Sequence, residues 1–287
     1  MITKPLMRYH GGKFRLAQWV MQFFPAHQTY VEPFGGAAGV LLQKPRCYSE
    51  VYNDLDQDIV NVFRVLRDPE QAKSLAHLIE FTPYARDEFN LAYEPTDNPV
   101  ESARRTLIRA EMGFGSAGAT KHKTGFRIDT AREYSTSSHL WPRLPAQLKQ
   151  FTDRLRGVLI ENRPALKVIE NHDRADTLFY VDPPYRFDTR QMGSNRHYYN
   201  HEMTNEQHDE LLGALVSVQG MVVLSGYDSD QYNDTLKGWS RHSTKARISS
   251  GRGTGIREEV VWLNPPCTQQ QSQIQLFESA GKAGVSA

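Results

Sequence analysis

The chain has 287 residues and a formal net charge of +1, with 39% hydrophobic and 23% charged residues, enough to bury about three quarters of the surface its unfolded form exposes. No apolar run approaches the ~18 residues a membrane helix needs, and the opening MITKPLMRYHGGK lacks the apolar core of a signal peptide, so a membrane protein is excluded. Cys47 and Cys267 are too few for a disulfide framework or a four-cysteine zinc site, and a reducing cytoplasm is the expected setting.

Along the chain, Thr29–Glu32 reads as a short strand, followed by the glycine-rich turn PFGGAAG and a helix start at VLL, the opening of a nucleotide-binding α/β unit. Tyr48–Tyr52 alternates as a second strand and ends at Asn53-Asp54. Ile59, Val62, Phe63 and Leu66 then recur at helical spacing. From 68 to 157 this alternation breaks. Pro69, Pro83, Pro95, Pro99, Pro142 and Pro145, with the run GFGSAGATKHKTGFR, predict an insertion of helices and a long loop.

The insertion holds most of a basic stretch. Arg104 to Arg163 carries twelve Lys and Arg against five Asp and Glu, +7, which leaves −6 on the rest of the chain. Such a segment is the footprint of a localised nucleic-acid surface, or else a solvated basic face with no partner. Lys121, Lys123 and Arg127 surround Phe126 in a glycine-bounded loop, basic groups for phosphates and an aromatic for a base. Arg132 follows them, and Arg104, Arg105 and Arg109 lie on a helical run as further candidate DNA contacts, Arg105 and Arg109 sharing a face at i, i+4.

Alternation resumes at strands 158–161 and 177–181, joined by a short helix over Ala165–Asn171. Met203–Val218 reads as a helix with Thr204 as N-cap and Gln207 completing a capping box. Strands 221–227 and 258–264 close the pattern, and the glutamine-rich tail 268–287 is expected to be disordered. Residues 1–67 and 158–267 thus form one α/β domain interrupted by 68–157. His197, His201 and His208 do not make a convincing metal set.

The sharpest motif is Asp182-Pro183-Pro184-Tyr185, directly after the apolar strand TLFYV, where open α/β sheets bind ligands. Two prolines fix φ and remove two amide hydrogens, leaving a stiff loop with carbonyls free to accept. The Asp182 carboxylate and the Pro183 carbonyl are two acceptors for an exocyclic amino group, and Tyr185 offers a stacking face. The plainer reading is a proline-stiffened turn with a capping aspartate.

Tyr9-His10-Gly11-Gly12-Lys13, then Glu32-Pro33-Phe34-Gly35-Gly36-Ala37-Ala38-Gly39, then Asn53-Asp54, and DPPY only after the long insertion, resemble in residues and order the S-adenosylmethionine-dependent amino-methyltransferases of DNA, and within them the Dam-like adenine-N6 group. The resemblance runs from about residue 5 to 266. It implies a Rossmann-like methyltransferase sheet with helices on both faces and an inserted region that reads double-stranded DNA. It also implies S-adenosyl-L-methionine as donor, no metal, no obligate protein partner, and a cytoplasmic enzyme encoded by a bacterium or phage.

By the same resemblance Tyr9, Lys13, Glu32, Phe34, Gly35, Gly36, Asp54 and Asp182 lie at the donor, and Asp182, Pro183 and Tyr185 carry the chemistry. Gly35 and Gly36 would let the backbone approach the donor, with a following helix N-terminus receiving its carboxylate. Asp54 stands about 20 residues beyond the glycines, the offset of a ribose-binding acid, or caps the helix beginning at Asp56. Lys13 would pair with the donor carboxylate or with DNA. The family's spacing has glycine where this chain has Ala38, and Glu161-Asn162-Arg163-Pro164 carries no assigned donor contact. Ser225–Asp228 and Arg257-Glu258-Glu259 resemble later motifs with architectural roles. Cytosine N4, an RNA adenine or a protein glutamine remain alternative substrates, and a catalytically inactive DNA-binding relative is the rival of a different class.

Overall fold

A computed structural model of the chain describes residues 2–116, 118–119, 123–128, 137–186, 189, 199–250 and 253–271, with the backbone alone at 247–250 and 253–255. Its centre is a seven-stranded sheet of β1 (Thr29–Glu32), β2 (Ser49–Asn53), β3 (Val158–Glu161), β4 (Thr177–Val181), β5 (Met221–Gly226), β6 (Ser240–Ser250) and β7 (Gly253–Leu263). The strand order is β3-β2-β1-β4-β5-β7-β6. β1 to β5 are mutually parallel and β7 runs antiparallel to β5 and β6. Chain order reverses between β1 and β4, which opens a crevice at their carboxyl ends.

Side-chain alternation divides the sheet between two cores. Tyr30, Tyr52, Leu178, Tyr180 and Val223 point into the larger one, built with α1 (Ala17–Met21), α2 (Gln57–Arg67) and the insertion helices. Val31, Val51, Phe179, Val181 and Leu224 point into the smaller one, with α8 (Ala165–His172), α9 (Asn205–Ser217) and α10 (Asp230–Thr235). Successive strand residues face opposite ways, so one run of apolar residues feeds both layers. The insertion supplies α3 (Pro69–Glu80), α4 (Arg86–Leu91), α5 (Pro99–Met112), α6 (Ser137–Leu140) and α7 (Pro145–Leu155). α5 and α7 pack on α2, so the insertion shares the larger core instead of standing apart.

The Thr204 capping box forms as expected, with Thr204 accepting from Gln207 N. The helix expected after the PFGG turn does not. Residues 36–43 make successive turns, with single helical hydrogen bonds Leu42 N to Ala38 O and Lys44 N to Val40 O, and Pro45 ends them before a helix can propagate. Of the expected tail only 268–271 are described, as the end of a helical stretch over 265–271 in which Gln271 donates to Phe23 O; 272–287 lie outside the described residues. Among the described residues no helix is long and apolar enough to cross a membrane.

Candidate active site

At the reversal point an open cavity of about 1000 Å³, mouth included, is lined by the Tyr9–Lys13 turn, the Glu32–Val40 loop, Asp54–Asp56, Asp182–Tyr185 and the 199–203 segment. Lys13 is buried here rather than facing DNA or solvent. Its Nζ donates to Asp182 Oδ2 at 3.0 Å and to Gly11 O at 3.1 Å, and it stands 4.7 Å from the centroid of the Tyr185 ring. The ammonium lies only 2.9 Å from Asp182 Oδ1 as well, yet that oxygen is buried and accepts no well-aligned hydrogen bond. Burial raises the Asp182 carboxyl above its usual range and Lys13 pulls it back. Lys13 thus sits against both oxygens of Asp182, and each carboxylate oxygen keeps a lone pair for a further donor.

Tyr185 is fixed at its far end. Its hydroxyl donates to Glu259 Oε2 at 2.8 Å and lies 3.4 Å from Ser225 Oγ, while the Tyr227 ring meets it edge to face at 4.3 Å. Arg257 in turn lies over Tyr227, 5.0 Å from the centroid.

The glycine turn is held from three sides. Gly36 adopts φ +48, its N–H donates to Asp54 Oδ2 at 2.8 Å, and its carbonyl accepts from Tyr52 Oη at 2.7 Å. A Cβ there would meet Tyr9 Cε1 at 2.7 Å, so the Tyr9 ring lies against bare backbone. A Cβ on Gly35 would run into the Tyr52 ring. Ala38 takes φ 52, which keeps the left-handed turn at the place of the family's glycine, for about 1–2 kcal/mol of local strain.

Asp54 is not the cap of α2. Asp56 fills that position, accepting from Asp58 N at 3.0 Å, while Asp54 Oδ1 accepts from Asp56 N at 2.8 Å. Burial raises the Asp54 carboxyl to about 6. Glu32 is buried, with Oε1 accepting from Tyr30 Oη at 2.6 Å and Leu41 N at 2.7 Å, and burial raises it to about 7. Phe34 is half-buried on the cavity wall.

Positions that carry this site without having been assigned a role in it are Asn53, Asn162, Asn200 and Glu259. Asn53 Nδ2 ties Pro33 O to Arg163 O at 2.8 and 2.9 Å. Asn162 Nδ2 holds Asp54 O at 2.7 Å, and Asn200 Nδ2 reaches Asp56 Oδ2 at 2.8 Å. The available signal was their place, since Asn53 closes β2 and Asn162 directly follows β3.

A profile of the D12 class N6 adenine-specific DNA methyltransferases matches residues 9–249. The chain belongs to this family. It is 25% identical over 193 residues to the DNA adenine methylase of Haemophilus influenzae, a match covering 63% of this chain and 64% of that protein. It is 22% identical over 271 residues to that of Salmonella typhi, covering 90% and 93%, and 22% over 274 residues to that of Escherichia coli K12, again 90% and 93%. The sheet flanked by helices is the Rossmann-like architecture that membership implies.

In this adenine-specific methyltransferase the expected DNA contacts divide. Arg105 donates to Glu101 Oε1 and Glu94 O, both at 2.7 Å, and Arg109 to Asp58 Oδ2 at 2.6 Å and Ala92 O at 3.2 Å. Both guanidinium groups are committed within the protein, as is that of the buried Arg104 to Glu88 at 2.7 Å and Glu101 at 2.8 Å, so the DNA assignment does not rest on them. Phe126 is likewise packed, against Tyr84 and Phe89 at 5.3 and 5.6 Å with Arg86 over its ring. Arg127 donates to Gly113 O at 3.2 Å and Gly115 O at 2.6 Å, which joins 112–116 to 123–128 as a short ribbon beside the cavity. His10 touches that ribbon through Ser116 Oγ at 3.3 Å. Lys123 is exposed on it, as are Phe114 at 62% and Ile128 at 66%. Lys121 and Arg132 lie outside the described residues, as does His197. His208 is buried against Tyr232, and His201 lines the cavity. Among the described residues no three His, Cys, Asp or Glu are grouped to hold a metal ion.

Proposed function

We propose that the chain transfers a methyl group from S-adenosyl-L-methionine to N6 of adenine in double-stranded DNA, with the adenine extruded from the duplex into the cavity. The observation that carries this reading is the Asp182 carboxylate at the carboxyl end of β4, lining the cavity in ion pair with Lys13 and followed directly by Pro183, whose carbonyl is a second acceptor. One amine N–H can donate to each. Accepting both bonds favours the pyramidal nitrogen reached during attack, stabilisation by acceptors already in place. Lys13 lies against both carboxylate oxygens and favours the ionised, accepting form of Asp182. Extruding the base costs a few kcal/mol, repaid by such bonds and by packing in the pocket.

The residues present fit the donor. Among the described residues, Glu32, Asp54, Asp56, Asp182 and Glu202 line the cavity against Lys13 alone among lysines and arginines, an acidic setting suited to a sulfonium cation. Bound there, the donor supplies an electrophilic methyl group. Asp54 would accept from its ribose hydroxyls, since each carboxylate oxygen can take a second hydrogen bond, and Tyr9 and Phe34 offer apolar faces. Gly35 and Gly36 let the chain approach it closely.

The insertion 68–157 is assigned to DNA recognition, with Lys123, Phe114 and Ile128 on the ribbon beside the mouth as its DNA-facing edge; Lys121 and Arg132 are kept as phosphate contacts from sequence. Base-resolved sequencing of duplex DNA treated with the protein and labelled donor tests the reading. Methyl groups on adenine N6 are expected, whereas cytosine N4 or no DNA label would overturn it. Asp182→Asn should lower turnover by about 10²–10³-fold with donor binding retained.

A further inference from the structure

We infer that Glu259 is a positioning residue for the reaction, acting on the target base through the Tyr185 hydroxyl. This rests on the adenine-methylating reading above. The Asp182–Tyr185 loop gives up two backbone donors to its prolines, so the sheet ladder that fixes β4 cannot continue through it. Side chains at its two ends do the fixing instead. Lys13 holds Asp182, and Glu259 holds Tyr185.

Glu259 is well suited to this. It is only 7% exposed and precedes Val260, which pairs with Gly226 at the end of β5, so its carboxylate comes from the rigid antiparallel part of the sheet. The 2.8 Å bond runs from a neutral hydroxyl to a carboxylate, a charge-assisted hydrogen bond in a desolvated place. Together with the Tyr227 edge at 4.3 Å and Lys13 at 4.7 Å, it sets the plane of the Tyr185 ring. A base entering the cavity to reach Asp182 Oδ1 must pass that plane. Loss of the bond frees the far end of the ring to swing about χ1 and blurs the position of the amine relative to the acceptor.

A second way for Glu259 to act would be through charge, by supporting the Lys13 ammonium, whose proton Asp182 and Glu259 both favour. The two are separable. Glu259→Gln keeps an oxygen that accepts from the tyrosine and removes the charge, whereas Glu259→Ala removes both, and Tyr185→Phe removes only the donor. Positioning predicts that Glu259→Gln stays within about threefold of wild type and that Glu259→Ala and Tyr185→Phe each lose about ten- to a hundredfold in kcat. The double variant Glu259→Ala/Tyr185→Phe should lose no more than either alone. KM for donor should not move, and 2-aminopurine at the target position should report weaker or more mobile extrusion in the impaired variants. Additive losses in the double variant, or a Glu259→Gln loss equal to that of Glu259→Ala with a displaced pH profile, would overturn the assignment. Glu259→Gln and Tyr185→Phe keep the test decisive even if Glu259→Ala folds poorly. A wild-type chain that transfers no methyl group to DNA would instead refute the underlying reading.

Discussion

Asp54 is a buried carboxylate that braces a turn and, in the proposed reading, also takes the donor. It clamps Gly36 N and Asp56 N, which holds the glycine loop in its left-handed turn, and burial lifts its carboxyl to about 6. If the ionised form accepts the donor's hydroxyls, donor affinity should rise as pH passes upward through 6 and weaken below it. Asp54→Asn keeps one acceptor for Gly36 N but loses the charge, so donor Kd should increase by about ten- to a hundredfold and its pH dependence near 6 should flatten. Calorimetric titration at pH 5, 6 and 7.5 measures both. An unchanged Kd in Asp54→Asn would leave this residue as a brace of the turn only. Lys13 makes a related point, because a lysine that sequence assigned to the donor or to DNA is folded inward onto Asp182, and substituting it would expose catalysis rather than DNA affinity.

Among the elements, α5 is where charge and function part. Arg105 and Arg109 share a helix face, as their spacing indicated, but the face looks inward, onto Glu101, the 94–95 carbonyls and Asp58 at the start of α2. Replacing either by alanine should lower the melting temperature, by the equivalent of about 1 kcal/mol for a partly exposed pair, without changing the salt dependence of DNA binding. Lys123→Ala, on the exposed ribbon, should instead reduce the slope of log affinity against log salt by about 0.9. Measured slopes for the three variants decide it, and a reduced slope in Arg109→Ala would return α5 to the DNA surface. The contrast marks what sequence could give. Strands β1, β3, β4 and β5, helices α2, α8 and α9 and the DPPY loop were legible, because an apolar run or a 3.6-residue period with a cap is a local property. Strand β6 was not, since SRHSTKARISS has no apolar face and is a strand only because β7 pairs along its whole length. Nor was the partner of each basic residue. Whether an arginine meets a phosphate or, as Arg109 does, an aspartate on another helix depends on packing, and composition is silent about it.

On the scale of the whole molecule, the crevice gathers carboxyls at the carboxyl ends of the strands and loads them against burial. Glu32 is raised to about 7 and Asp54 to about 6, with Asp56 and Asp182 raised as well, and burial is the leading cause for each. A carboxyl whose folded value exceeds its unfolded value binds its proton more tightly in the native state, so stability is lost as pH rises through the folded value. His27 and His172 act in the opposite sense. Burial lowers both, so acidification below about 6.5 protonates them preferentially in the unfolded chain and destabilises the fold. The ligand-free protein should therefore lose stability as pH rises through 6 and 7, while below about 6.5 the two histidines offset part of what the carboxyls gain. Between pH 6.5 and 8.5 the Glu32 contribution is a loss of about 1 kcal/mol, by linkage from a carboxyl at about 7. Glu32→Gln retains an oxygen for Tyr30 Oη and Leu41 N, so its melting temperature should fall less over that interval than that of wild type. S-Adenosylmethionine, added in excess, should shrink the wild-type decline, because a cation held among these groups favours their charged forms. Thermal melts at pH 5.5, 6.5, 7.5 and 8.5, with and without the donor, read all three effects, and a wild-type melting temperature that climbs steadily from 6.5 to 8.5 would show that the crevice carboxyls do not govern stability in that range.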